Sequence, residues 1–194
     1  MTMIGIILGS TRPGRKGEQV AHWVHERATR RRDAEFEVID LLDHPLPHLD
    51  EPVPALVSAG RYRHEHTRAW SDVIAAYDGY VFVTPEYNHA VPGVLKNAID
   101  HLYPEWNNKA VGFVSYGGTG GTHAVEQLRL ICGVLQMADV APQVALSLHT
   151  DFRDHTVLQP SDHHAAVLDM MLTQVITWTT TLAPLRTASP VTAA

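Results

Sequence analysis

Thr84-Pro85-Glu86-Tyr87-Asn88-His89-Ala90-Val91-Pro92-Gly93 follows the apolar run Tyr80-Val81-Phe82-Val83 and precedes the helical pattern Val94, Leu95, Ala98, Ile99, Leu102. A buried strand followed at once by a 3.6-period pattern reads as the carboxyl end of a strand opening into a helix. Ligands of open α/β sheets bind at such ends, where loops leave a crevice faced by helix N-termini. Pro85 and Pro92 stiffen the loop by fixing φ, and Pro92-Gly93 suits the first turn of a helix, where a missing N–H is no loss. Between the prolines, Glu86, Tyr87, Asn88 and His89 set a flat aromatic beside donors and acceptors. The stretch reads either as a plain strand-to-helix turn or as a rigid wall that holds a planar heterocycle by its edge.

Upstream, Met3-Ile4-Gly5-Ile6-Ile7-Leu8 is a continuous apolar run bounded by Gly9, as a strand buried on both faces would be. Val20, Ala21, Val24 and Ala28 then lie on one helical face, with Arg27 and Arg30 to Arg32 toward the C-terminal end, where cations complement the dipole. Glu35 to Leu42 is the second strand. Residues 43–60 carry Pro45, Pro47, Pro52 and Pro54 and predict an ordered, irregular loop. Trp70, Val73, Ile74 and Tyr77 mark the helix that feeds the central strand. Beyond the organising loop come a fourth strand, Ala110 to Tyr116, and a helix with Ala124, Val125, Leu128, Ile131, Cys132 and Leu135 on one face. A fifth strand, Gln143 to Leu148, precedes a final helix from about Ser161 to Leu182.

Strand and helix alternate five times, which predicts a parallel sheet with helices on both faces. Five strands suit the flavodoxin-like order 2-1-3-4-5, with a ligand at the switch between strands one and three. Residues 1–186 are expected to form one domain and 187–194 a frayed tail.

Two further loops fall at strand ends. Gly9-Ser10-Thr11-Arg12-Pro13-Gly14-Arg15-Lys16-Gly17 joins the first strand to its helix, offering hydroxyls and cations at a helix N-terminus. It matches neither Gly-x-x-x-x-Gly-Lys-Ser/Thr nor Gly-x-Gly-x-x-Gly, so it reads as a mononucleotide phosphate loop or as a solvated basic turn. Ser115-Tyr116-Gly117-Gly118-Thr119-Gly120-Gly121 follows the fourth strand, and its glycines allow close approach to a flat ligand or simply a tight connection.

The 194 residues carry a formal net charge of −6, which leaves no basic field for nucleic acid. The opening apolar run is too short for a signal peptide or a membrane span, and one cysteine, Cys132, excludes an internal disulfide framework; a cytoplasmic setting is expected. Cys132 sits on an apolar helical face and reads as core. Thirteen histidines, including His64, His66, His163 and His164, show no metal-ligand spacing and read as surface residues, with no metal site expected.

Gly-Ser-Thr-Arg at 9–12, Thr-Pro-Glu-Tyr-Asn at 84–88, Pro-Gly-Val-Leu-Lys-Asn-Ala-Ile-Asp at 92–100 and Ser-Tyr-Gly-Gly with Gly120-Gly121 resemble the NADPH-dependent FMN reductases, including quinone and azo-dye reductases. The resemblance spans roughly Ile4 to Leu148. It implies that Ser10, Arg12, Arg15, Lys16 and Gly17 hold an FMN phosphate. Pro85, Glu86, Tyr87 and Asn88 would line the isoalloxazine, and Ser115, Tyr116, Gly117 and Gly118 would cover its other polar edge. The family often has Ser or Asn just after the first Arg, where this chain has Arg15 and Lys16. It also implies hydride from NADPH through FMN to a quinone, azo compound, flavin or similar small acceptor, with no catalytic side chain. A flavodoxin-type electron carrier and a flavin-dependent redox sensor are the competing readings. The helix Val94 to Leu102 shows a second apolar stripe that, continued by Tyr103-Pro104-Glu105-Trp106, is expected to seat a second copy in a homodimer, with possible pairing into tetramers, the alternative being a monomer in which the proline-rich 43–60 loop covers that stripe.

Overall fold

A computed structural model describes residues 1–187. Its elements run β1 (Met3–Leu8), α1 (Gly17–Ala28), β2 (Glu35–Asp40), α2 (Ala55–Ser58), α3 (Glu65–Ala75), β3 (Gly79–Pro85), α4 (Gly93–Asp100), β4 (Ala110–Gly117), α5 (Thr122–Val134), β5 (Ala138–Ser147), β6 (Phe152–Arg153), β7 (Val157–Leu158) and α6 (Asp162–Thr187). The five long strands form one parallel sheet in the order β2-β1-β3-β4-β5. This is the flavodoxin-like order that the sequence pattern predicts.

Alternation of side chains along the inner strands divides the core in two. Ile4, Ile6, Val81, Val83 and Val114 face α1 and α6, whereas Ile7, Tyr80, Phe82, Val111 and Phe113 face α3, α4 and α5. Every residue of β3 and β4 is buried, so their sequences read as unbroken apolar runs. Fully buried side chains of this size each contribute roughly 1.5–3 kcal/mol. Cys132 is buried among them and its thiol is pushed up to about 12 by that burial, which keeps it protonated.

Several boundaries differ from the expectation, and the short helix α2 and the β6–β7 hairpin appear where only irregular chain was expected. β2 ends at Asp40, because Leu41 and Leu42 enter a turn. β5 begins at Ala138, with a register irregularity opposite Val111 and Phe113; Pro142 lacks an N–H, and an edge strand tolerates that. The short β6–β7 hairpin carries no turn signal strong enough to read from sequence. α6 continues past Leu182 through Pro184 to Thr187; Arg186 donates to Asn108 O (3.2 Å) and Asp78 Oδ1 (3.1 Å), in the loops that lead into β4 and β3, and to Thr179 O (3.0 Å) of the helix itself. Thr187 therefore closes a helix, and the rest of the expected tail, 188–194, lies outside the described residues. No described helix is long and apolar enough to cross a membrane.

The expected open stripe on α4 is covered within the chain. Asn97 donates to Pro47 O (2.8 Å) and accepts from Leu49 N–H (3.0 Å), strapping the proline-rich loop over the helix. Trp106 is not at the surface either: it is fully buried, donates to Ile99 O (3.2 Å) and meets Tyr80 and Phe82 edge-on. The pattern of α4 reports two apolar stripes, but periodicity alone does not choose between a second copy and the proline-rich loop as the cover of the second.

Lys109 is buried at the amino end of the sheet, with Nζ donating to Ile74 O (3.1 Å) and Tyr80 Oη (3.0 Å). Burial lowers its pKa to about 8. In the unfolded chain it titrates near 10.4, so between about pH 8 and 10 the unfolded state holds more protons and stability rises with pH. Lys109→Met leaves no orphan, since Tyr80 Oη also donates to Ile74 O (2.5 Å). The variant is expected to be at least as stable as the parent at pH 7, with the advantage shrinking from pH 8 to 10. A pH-independent difference in urea midpoints would refute this account.

Candidate functional site

Registry in the sheet brings the three singled-out loops together. Leu8 pairs with Val83, and Gly9 N–H donates to Val83 O (2.8 Å), so the loop after β1 starts beside the loop after β3. Pro85 pairs with Tyr116, and Glu86 N–H donates to Tyr116 O (3.1 Å), which places the loop after β4 on the other side. Arg12, Arg15, Lys16, Pro85, Glu86, Tyr87, Tyr116 and Gly117 line one cavity of about 160 Å³, with Gly14 and Leu148 completing it. That volume suits a phosphate on a short polyol and falls below the roughly 300 Å³ at which a pocket encloses a whole drug-sized ligand.

The cations of the first loop divide in function. The Arg15 side chain is only 4% exposed, and its fork is occupied: it donates to both carboxylate oxygens of Asp40 (2.8 and 2.5 Å), to Ser10 O (2.5 Å) and to Glu18 (3.0 Å). It fastens the loop to the end of β2. Among the described residues, Arg12 and Lys16 have no ion-pair partner, so their charge is available to an anion. No side chain caps α1, whose N-terminus adds a favourable field there.

Ser10 is buried and shares a hydrogen bond with Tyr87 Oη (2.8 Å), linking the first loop to the second. Tyr87 N–H donates to Ala90 O (3.0 Å) and Ala90 N–H to Tyr87 O (3.1 Å), with Asn88 and His89 at φ +50° and +68° between them. This is a two-residue turn of the left-handed kind that Asn accepts readily. Ser115 is buried and donates to Gly120 O (2.7 Å), so it shapes the glycine loop from beneath. Gly118 is exposed beyond the cavity wall.

A roomier cavity, about 630 Å³, lies at the opposite end of the sheet between Asp78, Glu105, Lys109 and Arg186. Its charged groups are already engaged: Arg186 pairs with Asp78, Glu105 accepts from Tyr62 (2.7 Å) and Ser71 (2.6 Å), and Lys109 donates to Ile74 O and Tyr80 Oη. The carboxyl-end cavity, with unpaired cations, is the candidate site.

The family described as NADPH-dependent FMN reductase matches residues 2–151. The chain belongs to that family. An NAD(P)H-dependent FMN reductase of Schizosaccharomyces pombe is 43% identical over 156 residues, covering 80% of this chain and 78% of that protein. A 2-hydroxy-1,4-benzoquinone reductase of a Burkholderia species is 32% identical over 143 residues, 69% of this chain and 72% of its own. A flavoenzyme NAD(P)H:(acceptor) oxidoreductase from Paracoccus denitrificans shares the fold, with a TM-score of 0.71 at 20% identity over 93% of this chain and 98% of that one.

The cavity fits the phosphate end of the flavin nucleotide in the family's name. Among the described residues, Tyr116 Oη is buried and donates to no acceptor, and it lies against the start of α1, where a Cβ on Gly17 would fall 2.7 Å away. Burial pushes this phenol well above its ordinary pKa, so it remains a donor. A buried donor left unpaired costs about 1–3 kcal/mol, and an anion at the helix N-terminus would relieve it. The expected residues thus fall into a group that lines the cavity and a group, Ser10, Gly17 and Ser115, that shapes it from behind. Asn88 and Gly118 lie outside the lining. Sequence reasoning missed Asp40, which engages Arg15, and His123. Only the place of His123 in the first turn after Gly120-Gly121 could have signalled it.

Proposed function

We propose that the chain is an FMN-dependent NAD(P)H oxidoreductase acting on small acceptors by a two-step exchange at one face of the cofactor. The observation that carries this reading is the cavity at the carboxyl ends of β1, β3 and β4, with Arg12 and Lys16 unpaired and Tyr116 Oη unsatisfied. When bound, FMN supplies the redox chemistry, accepting hydride from NAD(P)H and reducing a quinone, azo compound or flavin. Arg12 and Lys16 hold the phosphate, with Tyr116 Oη donating to it. Pro85 to Asn88 wall the ring's edge with a backbone stiffened by proline and by the turn at Asn88-His89. Ser115 keeps the glycine loop flat enough for close approach. No side chain is assigned a proton or hydride transfer. The relative named for benzoquinone reduction supports an acceptor of that class.

Purified, FMN-loaded protein is expected to bleach on anaerobic NADPH without a second protein, and initial rates against a quinone should give the parallel lines of a ping-pong scheme. A carrier would stay oxidised until a reductase was added, and intersecting lines would require a ternary complex; either result removes this reading.

We further place a homodimer on the helices after β3 and β4. With α4 covered by its loop, support comes from α5, where Leu130 and Val134 are 77% and 72% exposed at helical spacing. Light scattering of the FMN-loaded protein at micromolar concentration should give twice the chain mass of 21.5 kDa, and Val134→Glu should shift it toward one chain. A single-chain mass for the parent with activity intact would eliminate the dimer.

A further inference from the structure

Histidines that look scattered in sequence converge at the rim of the cavity. Glu86 Oε2 accepts from His123 N–H (3.1 Å), and Glu86 Oε1 lies 3.0 Å from His123 Nδ1. The rings of His89 and His123 stack with centroids 3.5 Å apart and planes 28° from parallel. One donor atom from each of Glu86, His89 and His123 lies within 4.8 Å of the other two. His89 and His123 contact solvent while Glu86 is largely enclosed, so an ion has a way in.

His89 occupies an unusual place for its residue type. At φ +68°, directly after Asn88, it holds the second left-handed position of a tight turn, where glycine is favoured. Gln127 Nε2 fixes the turn by donating to His89 O (2.8 Å). Two imidazoles and a carboxylate are the ligand set that borderline divalent cations prefer. We infer that Glu86, His89 and His123 bind a divalent cation of the zinc class, with three protein ligands and one position open to water or an oxygen-bearing ligand.

Donors on one zinc ion at bonds of about 2.0–2.2 Å sit roughly 3–3.5 Å apart. Glu86 and His123 are at that separation already; a shift of the exposed His89 ring closes the third edge. A second group, Asp50, His66 and His101, is similarly compact. There His101 is buried rather than at the surface, and both ring nitrogens are engaged, Nδ1 with Thr67 Oγ1 (3.2 Å) and Nε2 with Pro47 O (3.2 Å). A metal would have to break the strap of the proline-rich loop, so that group is a structural link.

The test is calorimetric titration of Zn²⁺ into the FMN-loaded full chain. The parent should take up one equivalent per chain at its tightest site. His89→Gly, which also relieves the turn, and His123→Gln should each weaken that uptake about tenfold or more, while His66→Gln should not. Absence of uptake, uptake that neither His89→Gly nor His123→Gln alters, or uptake lost in His66→Gln instead would each overturn the site.

Discussion

Arg12→Ala is expected to weaken FMN binding by about 2 kcal/mol, roughly thirtyfold, and to leave riboflavin binding nearly unchanged. Arg12 is exposed at the cavity and has no partner of its own to lose, so truncation should remove a contact to the ligand and nothing else. Arg15 cannot substitute, because Asp40, Glu18 and Ser10 O occupy its fork. Lys16 remains as a point charge, which is why the loss is partial. Flavin fluorescence titrations with the two ligands separate the cases. An equal loss for FMN and riboflavin would take Arg12 out of the phosphate site. Arg15→Ala, by contrast, should weaken both ligands together, because it loosens the loop rather than one contact.

Gly121→Ala is expected to destabilise the fold by about 3 kcal/mol, a fall in Tm of roughly 6–12 °C for a chain of this length. Gly121 has φ +74°, and a Cβ there would fall 2.9 Å from Ser115 Cβ, 2.9 Å from Tyr116 N and 3.0 Å from Tyr116 O. Those neighbours belong to a fully buried strand, so the clash has no flexible side chain to absorb it. Gly118→Ala is the control from the same loop: its nearest neighbour would be His149 Nε2 at 3.8 Å, and the cost should stay within about 0.5 kcal/mol. Equal melting temperatures for the two variants would show that the loop tolerates a side chain throughout.

Much of this architecture was legible locally. The unbroken apolar runs of β1, β3 and β4 read as strands covered on both faces, and with the more polar edge strands β2 and β5 the five strands separated by 3.6-period patterns left the order 2-1-3-4-5 as the natural winding. Loops at the carboxyl ends of β1 and β3 then had to meet, because adjacent parallel strands end on the same side. Periodicity carried this information because burial on a strand or a helix face is a nearest-neighbour property. It did not reach the side chains whose partners lie far along the chain. Arg15 reads as one more phosphate cation until Asp40, 25 residues on, arrives at the end of β2 and takes its charge. The second stripe of α4 reads as an interface until Pro47 and Leu49 settle on Asn97. His89 and His123 read as ordinary surface residues until the left-handed turn at 88–89 and the first turn of α5 set their rings face to face across Glu86. In each case a charge, an apolar face or a ring acquires its role from the group packed against it, and parallel-sheet topology chooses that group by bringing together strand ends that are distant in sequence.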